Sequence, residues 1–231
     1  MHAGATGPRP AGATVRPVPG PSPAVPRPPT ALGTASIVVA CVWTALVAVS
    51  FVSSFSAAAA LGAALDEMAA TGGGGMLEVT THDRVARWLL GAQVVAFVVT
   101  CLWLHQSRRL AVTLSPLVPQ ARGPVWVWLG WVVPVVSLWF PYQVVRDVRS
   151  ATAGSVRRGG LGLWWGCWLG SAWLMNQATF ATMGYGPRDP ALLPGIEGLS
   201  LLVMVVALVL WVRLVREITA DQRTRTASAR S

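Results

Sequence analysis

Charged positions fall in clusters along the chain, and long stretches between the clusters hold none. Residues 36–65 contain no Asp, Glu, Lys or Arg, and neither do 89–104, 123–145, 159–181 or 199–212. A hydrocarbon core of ~30 Å takes ~20 apolar residues as helix, and ~17 suffice. A helix buried in a soluble domain rarely runs so far without a charge. The pattern predicts an all-α membrane protein.

Which runs cross follows from the charges between them, because cytosolic flanks collect arginine. The start of the chain carries Arg9, Arg16 and Arg27. Residues 63–87 carry Asp66, Glu67, Glu78 and Asp83 against Arg84 and Arg87. Arg108, Arg109 and Arg122 follow the second run, and Arg146, Arg149, Arg157 and Arg158 against Asp147 follow the third. Arg188 is outnumbered by Asp189 and Glu197, and the stretch from Arg213 onward is basic again. The order reads in, out, in, in, out, in. A crossing by 124–145 would carry one of its two basic neighbours outside. The expected fold therefore has about four transmembrane helices, roughly 35–60, 86–104, 161–182 and 197–213, plus one proline-broken re-entrant or interfacial segment. An ordinary fifth span kinked at Pro134 is the competing reading.

The proline-broken run reads WVWLGWVVPVVSLWFPY. Pro134 and Pro141 each remove an amide donor, and irregular backbone at membrane depth survives only where protein or water satisfies it. Trp128, Trp131, Val135, Trp139 and Tyr142 would form one stripe on a helix, suited to the headgroup level. Trp88 is expected at the outer end of the second span and Trp103 at its inner end. Trp164, Trp165 and Trp168 mark the inner end of the third, and Trp211 that of the fourth.

Composition agrees. The 231 residues are 53% hydrophobic and 12% charged, where soluble domains carry roughly 25% charge. All 18 basic residues are arginine, which fits codon bias in a GC-rich bacterial genome. A net charge of +9 suits nucleic acid in a soluble protein; here it marks the cytosolic flanks, and no nucleic-acid partner is expected. Residues 1–32, rich in Pro and Arg, predict a disordered cytosolic tail, either a solvated leader or a docking site through its proline pairs. Residues 33–220 form the membrane domain and 221–231 a short polar cytosolic tail. The first run is too long for a signal peptide and reads as an uncleaved anchor, ended by the glycines at 72–75. Cys41, Cys101 and Cys167 lie apart in apolar runs and read as small buried hydrophobes.

The 124–147 region carries a resemblance. The pattern W-x-x-P-x-x-x-L-W-x-P-Y-Q-V-x-R-[DE] is matched by Trp131, Pro134, Leu138, Trp139, Pro141, Tyr142, Gln143, Val144, Arg146 and Asp147. With RVARWLLGAQ before it and GLWWGCWLGS after it, the chain resembles an actinobacterial membrane family known as domain of unknown function 4328, over about 84–220. The resemblance implies a multi-span membrane domain and no particular activity.

Motifs for chemistry are missing from the sequence. His2, His82 and His105 are too scattered to share a metal, with His82 expected in an outer loop, and no HExxH, GxSxG or P-loop occurs. The adjacent Asp66 and Glu67 read as solvation of an outside linker. No cofactor and no metal are expected. The central parts of the spans lack ionisable residues, which argues against an ion-coupled pump. Asn176 and Gln177 read as interhelical hydrogen-bond partners. Gly162, Gly166 and Gly170 recur every four residues and let a helix approach closely, either within the chain, against Ser50, Ser54, Ala58 and Gly62, or in a homo-oligomer. Arg108, Arg109, Arg157 and Arg158 are expected on anionic headgroups. The protein thus reads as a multi-pass plasma-membrane protein with both termini cytosolic and no enzymatic site. Its role is that of an envelope interaction or scaffold protein, with a membrane protein partner or a second copy. The alternative is a small channel or transport-related subunit with 124–145 lining a cavity.

Overall fold

Helix boundaries in this chain are written in local chemistry. In the computed structural model, which describes residues 26–73, 79–153, 159–183 and 189–230, helix α1 (Thr30–Thr71) stops where Gly72 takes φ +67° and its N–H bonds back to the Met68 carbonyl. Glycine enters that left-handed conformation without the steric cost other residues meet. Helix α2 (Thr81–Leu114) starts on a capping box. The Asp83 carboxylate accepts from the Thr80 amide, and the Thr80 hydroxyl accepts from the Asp83 amide, so two end donors are satisfied reciprocally. Helices α3 (Trp126–Leu129), α4 (Phe140–Thr152), α5 (Leu161–Thr182) and α6 (Leu192–Ser228) follow, with a 3-10 turn at Val136–Leu138. No strand occurs among the described residues.

The long helices lie side by side in the order α2–α1–α6–α5. Consecutive pairs run antiparallel, which puts α1 and α6 at the centre. Their contact is close because the residues are small. A Cβ on Gly33 would stand 3.1 Å from both Thr219 Oγ1 and Trp103 Nε1, and one on Gly198 would stand 2.9 Å from the Phe51 ring. Ser36, Ser50, Ser54, Ala57 and Ala58 are buried along α1. The Ser36 hydroxyl meets that of Thr100 on α2 at 3.3 Å, while Thr44 and Ser54 donate back to carbonyls of their own helix.

Helices α1, α2 and α6 are long and apolar enough to cross a membrane. At 22 residues α5 has the length, but its four tryptophans with Asn176 and Gln177 lower its hydropathy. Beyond the crossing portions, α2 and α6 continue at the arginine-rich end and clasp α4. Val145, Val148 and Ala151 of α4 are fully buried there, together with Leu110, Ala111 and Ile218. The expected boundaries shift accordingly. Helix α1 begins at Thr30, inside the stretch read as a tail, and residues 1–25 lie outside the described region. Residues 221–228 continue α6, with Gln222 and Thr226 buried. Asp66 and Glu67 stand exposed on the last turns of α1, not in a linker.

The single helical stripe expected through Trp128, Trp131, Val135, Trp139 and Tyr142 does not form. Pro134 and Pro141 divide the segment into α3, a run of turns, the 3-10 turn and α4, and Val135 sits at φ +65°. Trp128 packs on Phe97, Trp131 on Trp165 and Trp168, and Trp139 on Phe140.

Candidate functional site

The broken segment closes a hollow. Between α2 and α5, floored by α1 and α6, lies a cavity of about 380 Å³. Its walls are Trp43 and Thr44 of α1, Gln93, Phe97 and Thr100 of α2, Trp164 and Trp168 of α5, Met204 and Trp211 of α6, and Trp131 with Val132 from the broken segment. Among the described residues no charged side chain lines it.

Indoles form a continuous chain beside this cavity. Trp103 meets Trp211 edge-on at 5.5 Å, Trp211 stacks on Trp164 at 5.1 Å, and Trp164 meets Trp165 at 5.4 Å. Trp165 stacks on Trp168 at 4.9 Å, and Trp131 stands edge-on to both. Such pairs add ~0.5–1.5 kcal/mol each beyond burial. Trp103 is completely buried, and Trp164, Trp165 and Trp211 nearly so, because tryptophans at one level on neighbouring helices meet each other before they meet lipid. Trp88 is 72% exposed.

The residues of the quoted motif hold this segment in place. Trp165 Nε1 donates to the Leu138 carbonyl at 2.7 Å, and Pro141 occupies the first turn of α4, where its missing N–H costs nothing. Val144 is buried, Tyr142 packs against the same core, and Gln143 accepts from Arg122 Nε at 2.8 Å. The Arg122 guanidinium also lies 3.9 Å from the centre of the Phe140 ring. Asp147 accepts from the Ala121 amide at 2.8 Å and pairs with Arg146 at 2.9 Å. Pro134 and Trp139 stay exposed in the turns. Arg149 then ties α4 to α6 through two hydrogen bonds to Glu217, at 2.8 and 2.9 Å. Arg225 Nη1 adds a bond to the Ala151 carbonyl, and Gln222 Nε2 one to the Ser107 carbonyl.

Other expected sites fare differently. A Cβ at Gly162 or Gly166 would meet nothing, and one at Gly170 only Val203, at 3.8 Å. The ladder is thus no contact face within the chain over its first two steps, because α5 turns another side to α6. The small residues of α1 that were its expected mates pack elsewhere: Ala58 joins Ala178, Ala181 and Leu193 in an α1–α5–α6 cluster, while Gly62 stands open. Asn176 is exposed and bonds to Ala172 of its own helix, so it links no helices. Arg108 donates to the Arg122 carbonyl, Arg109 is exposed, and Arg157 and Arg158 lie outside the described residues. Cys101 is buried and Cys167 half-buried, whereas Cys41 is exposed. Among the described residues no cluster of His, Cys, Asp or Glu could hold a metal.

One cluster escaped the sequence. His82 is not in a loop but buried in the first turn of α2, with Nε2 3.2 Å from Glu197 of α6 and Nδ1 3.3 Å from Ser53 of α1. It pins three helices together at the end opposite α4 and the Arg149–Glu217 pair. The two partners are 115 positions apart, and no local pattern links them.

All-helical throughout its described residues, with three helices fit to span a bilayer, the chain has the make-up of a helical membrane protein. It belongs to the family described as domain of unknown function (DUF4328), which matches residues 79–220. That stretch takes in α2, the whole broken segment and its brace, α5 and most of α6. The chain matches no curated protein and no solved structure.

Proposed function

We propose that the protein is a four-span, non-catalytic protein of the bacterial plasma membrane, of actinobacterial origin, with both termini in the cytosol. It acts as a small transport-related or ligand-holding subunit in which the re-entrant 124–145 segment closes a cavity between the spans. One observation carries this reading. Trp131 and Val132 of the broken segment line the same cavity as residues from α1, α2, α5 and α6. Irregular backbone at membrane depth is tolerated where it lines a cavity, and a plain scaffold needs neither feature. The scaffold role remains as a second reading. What favours it is the open face at Gly162 and Gly166, free for a partner helix or a second copy. In both readings exposed arginines such as Arg109 rest on anionic headgroups.

The test is topology joined to access. In a background without the three native cysteines, a cysteine at Gly73 or Asp189 labels from outside and one at Ser155 does not. A cysteine at Val132 reacts with a membrane-permeant maleimide. Outside labelling at Ser155 would make 124–145 a full crossing and end the re-entrant account; an inert Val132→Cys would end the cavity account.

A further inference from the structure

We propose that the cavity binds a neutral, planar aromatic molecule bearing a hydrogen-bond-accepting carbonyl, the chemistry of a membrane quinone. This rests on the cavity reading above and adds the class of its occupant.

Charge is decided first. Among the described residues the lining contains no Asp, Glu, Arg or His, and a charged ligand held among helices fit to cross a membrane would lie unpaired in a medium of low dielectric. The ligand is therefore neutral. Shape comes from the walls. Indole and phenyl faces dominate them, and flat rings gain edge-on and offset contacts there that a flexible acyl chain does not. The volume of about 380 Å³ falls within the ~300–1,000 Å³ usual for small-molecule sites. It suits a fused ring system with the start of a side chain. Val94 and Val132, both more than half exposed, form the edge past which such a chain leaves for the lipid.

The polar groups decide the rest. The hydroxyls of Thr44 and Thr100 are already engaged, by the Ala40 carbonyl and by Ser36. Two donors remain. Trp131 Nε1 is buried without an oxygen or nitrogen partner. The Gln93 amide stands exposed at the rim of the α2 wall, within a helix fit to cross the membrane, where an unpaired amide is costly. A carbonyl oxygen is the acceptor both lack. A pure hydrocarbon would fill the space and leave both donors unsatisfied.

The experiment uses the full chain purified in detergent, with two probes. One is 2,3-dimethyl-1,4-naphthoquinone, whose blocked ring positions prevent addition of the exposed Cys41 thiol. The other is 2,3-dimethylnaphthalene, the same shape without the carbonyls. Binding of the quinone is read as saturable quenching of tryptophan fluorescence, corrected for absorption, and the hydrocarbon by displacement of the quinone. The quinone is expected to bind roughly tenfold more tightly than the hydrocarbon, as one hydrogen bond supplies. Gln93→Leu should shrink that preference, since the Trp131 N–H is left, and leave hydrocarbon binding unchanged. Val132→Trp, which puts a bulky ring across the mouth of the cavity, should weaken both. Equal binding of the two probes, full displacement by phosphatidylglycerol, or a Gln93→Leu variant that keeps the preference in full overturns the assignment of the ligand while the cavity stands. If neither probe saturates, and Val132→Trp titrates like the parent, the cavity reading falls with it.

Discussion

Glycine shows at the residue scale how little spacing says about partners. Gly162, Gly166 and Gly170 have the four-residue rhythm of a packing face, yet the close contacts between the long helices fall on Gly33 and Gly198, which belong to no such rhythm. A repeat in one helix is visible in its own sequence, whereas the side that a neighbour takes is set by the neighbour. The outcome is testable. Gly33→Leu should lower the thermal stability of the detergent-solubilised protein, because the fully buried Trp103 and the half-buried Thr219 beside it have nowhere to go. Gly166→Leu should leave stability unchanged or raise it by up to ~1 kcal/mol, the helix cost of glycine. Loss of the monodisperse chromatography peak on heating is the readout. A destabilised Gly166→Leu would mean that a second copy covers that face.

Among the elements, the broken segment was half legible. Pro134 and Pro141 announce that no regular helix passes through, and the structure breaks the segment there. The directions of Trp128, Trp131 and Trp139 were not legible, because each is chosen by a partner on another helix. The same holds for Trp103, Trp164 and Trp211. Their positions near the ends of apolar runs can be read, but their burial depends on meeting across helices. Trp165 makes the most local of these ties, through its bond to the Leu138 carbonyl. Trp165→Phe keeps most of the ring contact and removes the donor. The expected cost is about 1 kcal/mol, concentrated in the 3-10 turn. Hydrogen exchange should show faster exchange around Ser137–Trp139 with α1 unaffected. Unaltered exchange there would mean that the turn is held by other contacts.

For the molecule as a whole, two different solvents act on one bundle. At the arginine-rich end, α2, α4 and α6 bury Leu110, Val145, Val148 and Ile218 as a water-soluble protein would. Along the spans, small residues and hydroxyls give closeness instead. The 37 residues of α6 rise ~55 Å at 1.5 Å each, well beyond a ~30 Å core, so one helix serves both regimes. The sequence shows where the charge begins on α6, but not that residues past 220 pack rather than trail, since that depends on α2 and α4. Arg149 and Glu217 join the two elements, with side chains only 10% and 13% exposed. Arg149→Met leaves the carboxylate buried alone and should cost ~3–5 kcal/mol. The double change Arg149→Met with Glu217→Met should recover most of it. Limited proteolysis within α4 reports both. Equal sensitivity of the single and double variants would show that the brace acts through something other than that pair.

Six indoles in unbroken contact, from Trp103 to Trp131, also make the protein an optical device. Excitation absorbed by one ring passes to the next faster than the molecule tumbles, so the emitted light should be strongly depolarised. Coupled transitions should also give the near-ultraviolet dichroism a paired, opposite-signed band. A single quencher lodged beside Trp131 would darken the whole chain of rings rather than one twelfth of the protein's tryptophans. The cavity therefore comes with its own reporter, and whatever enters it announces its arrival in the colour and polarisation of the native protein, with no label attached.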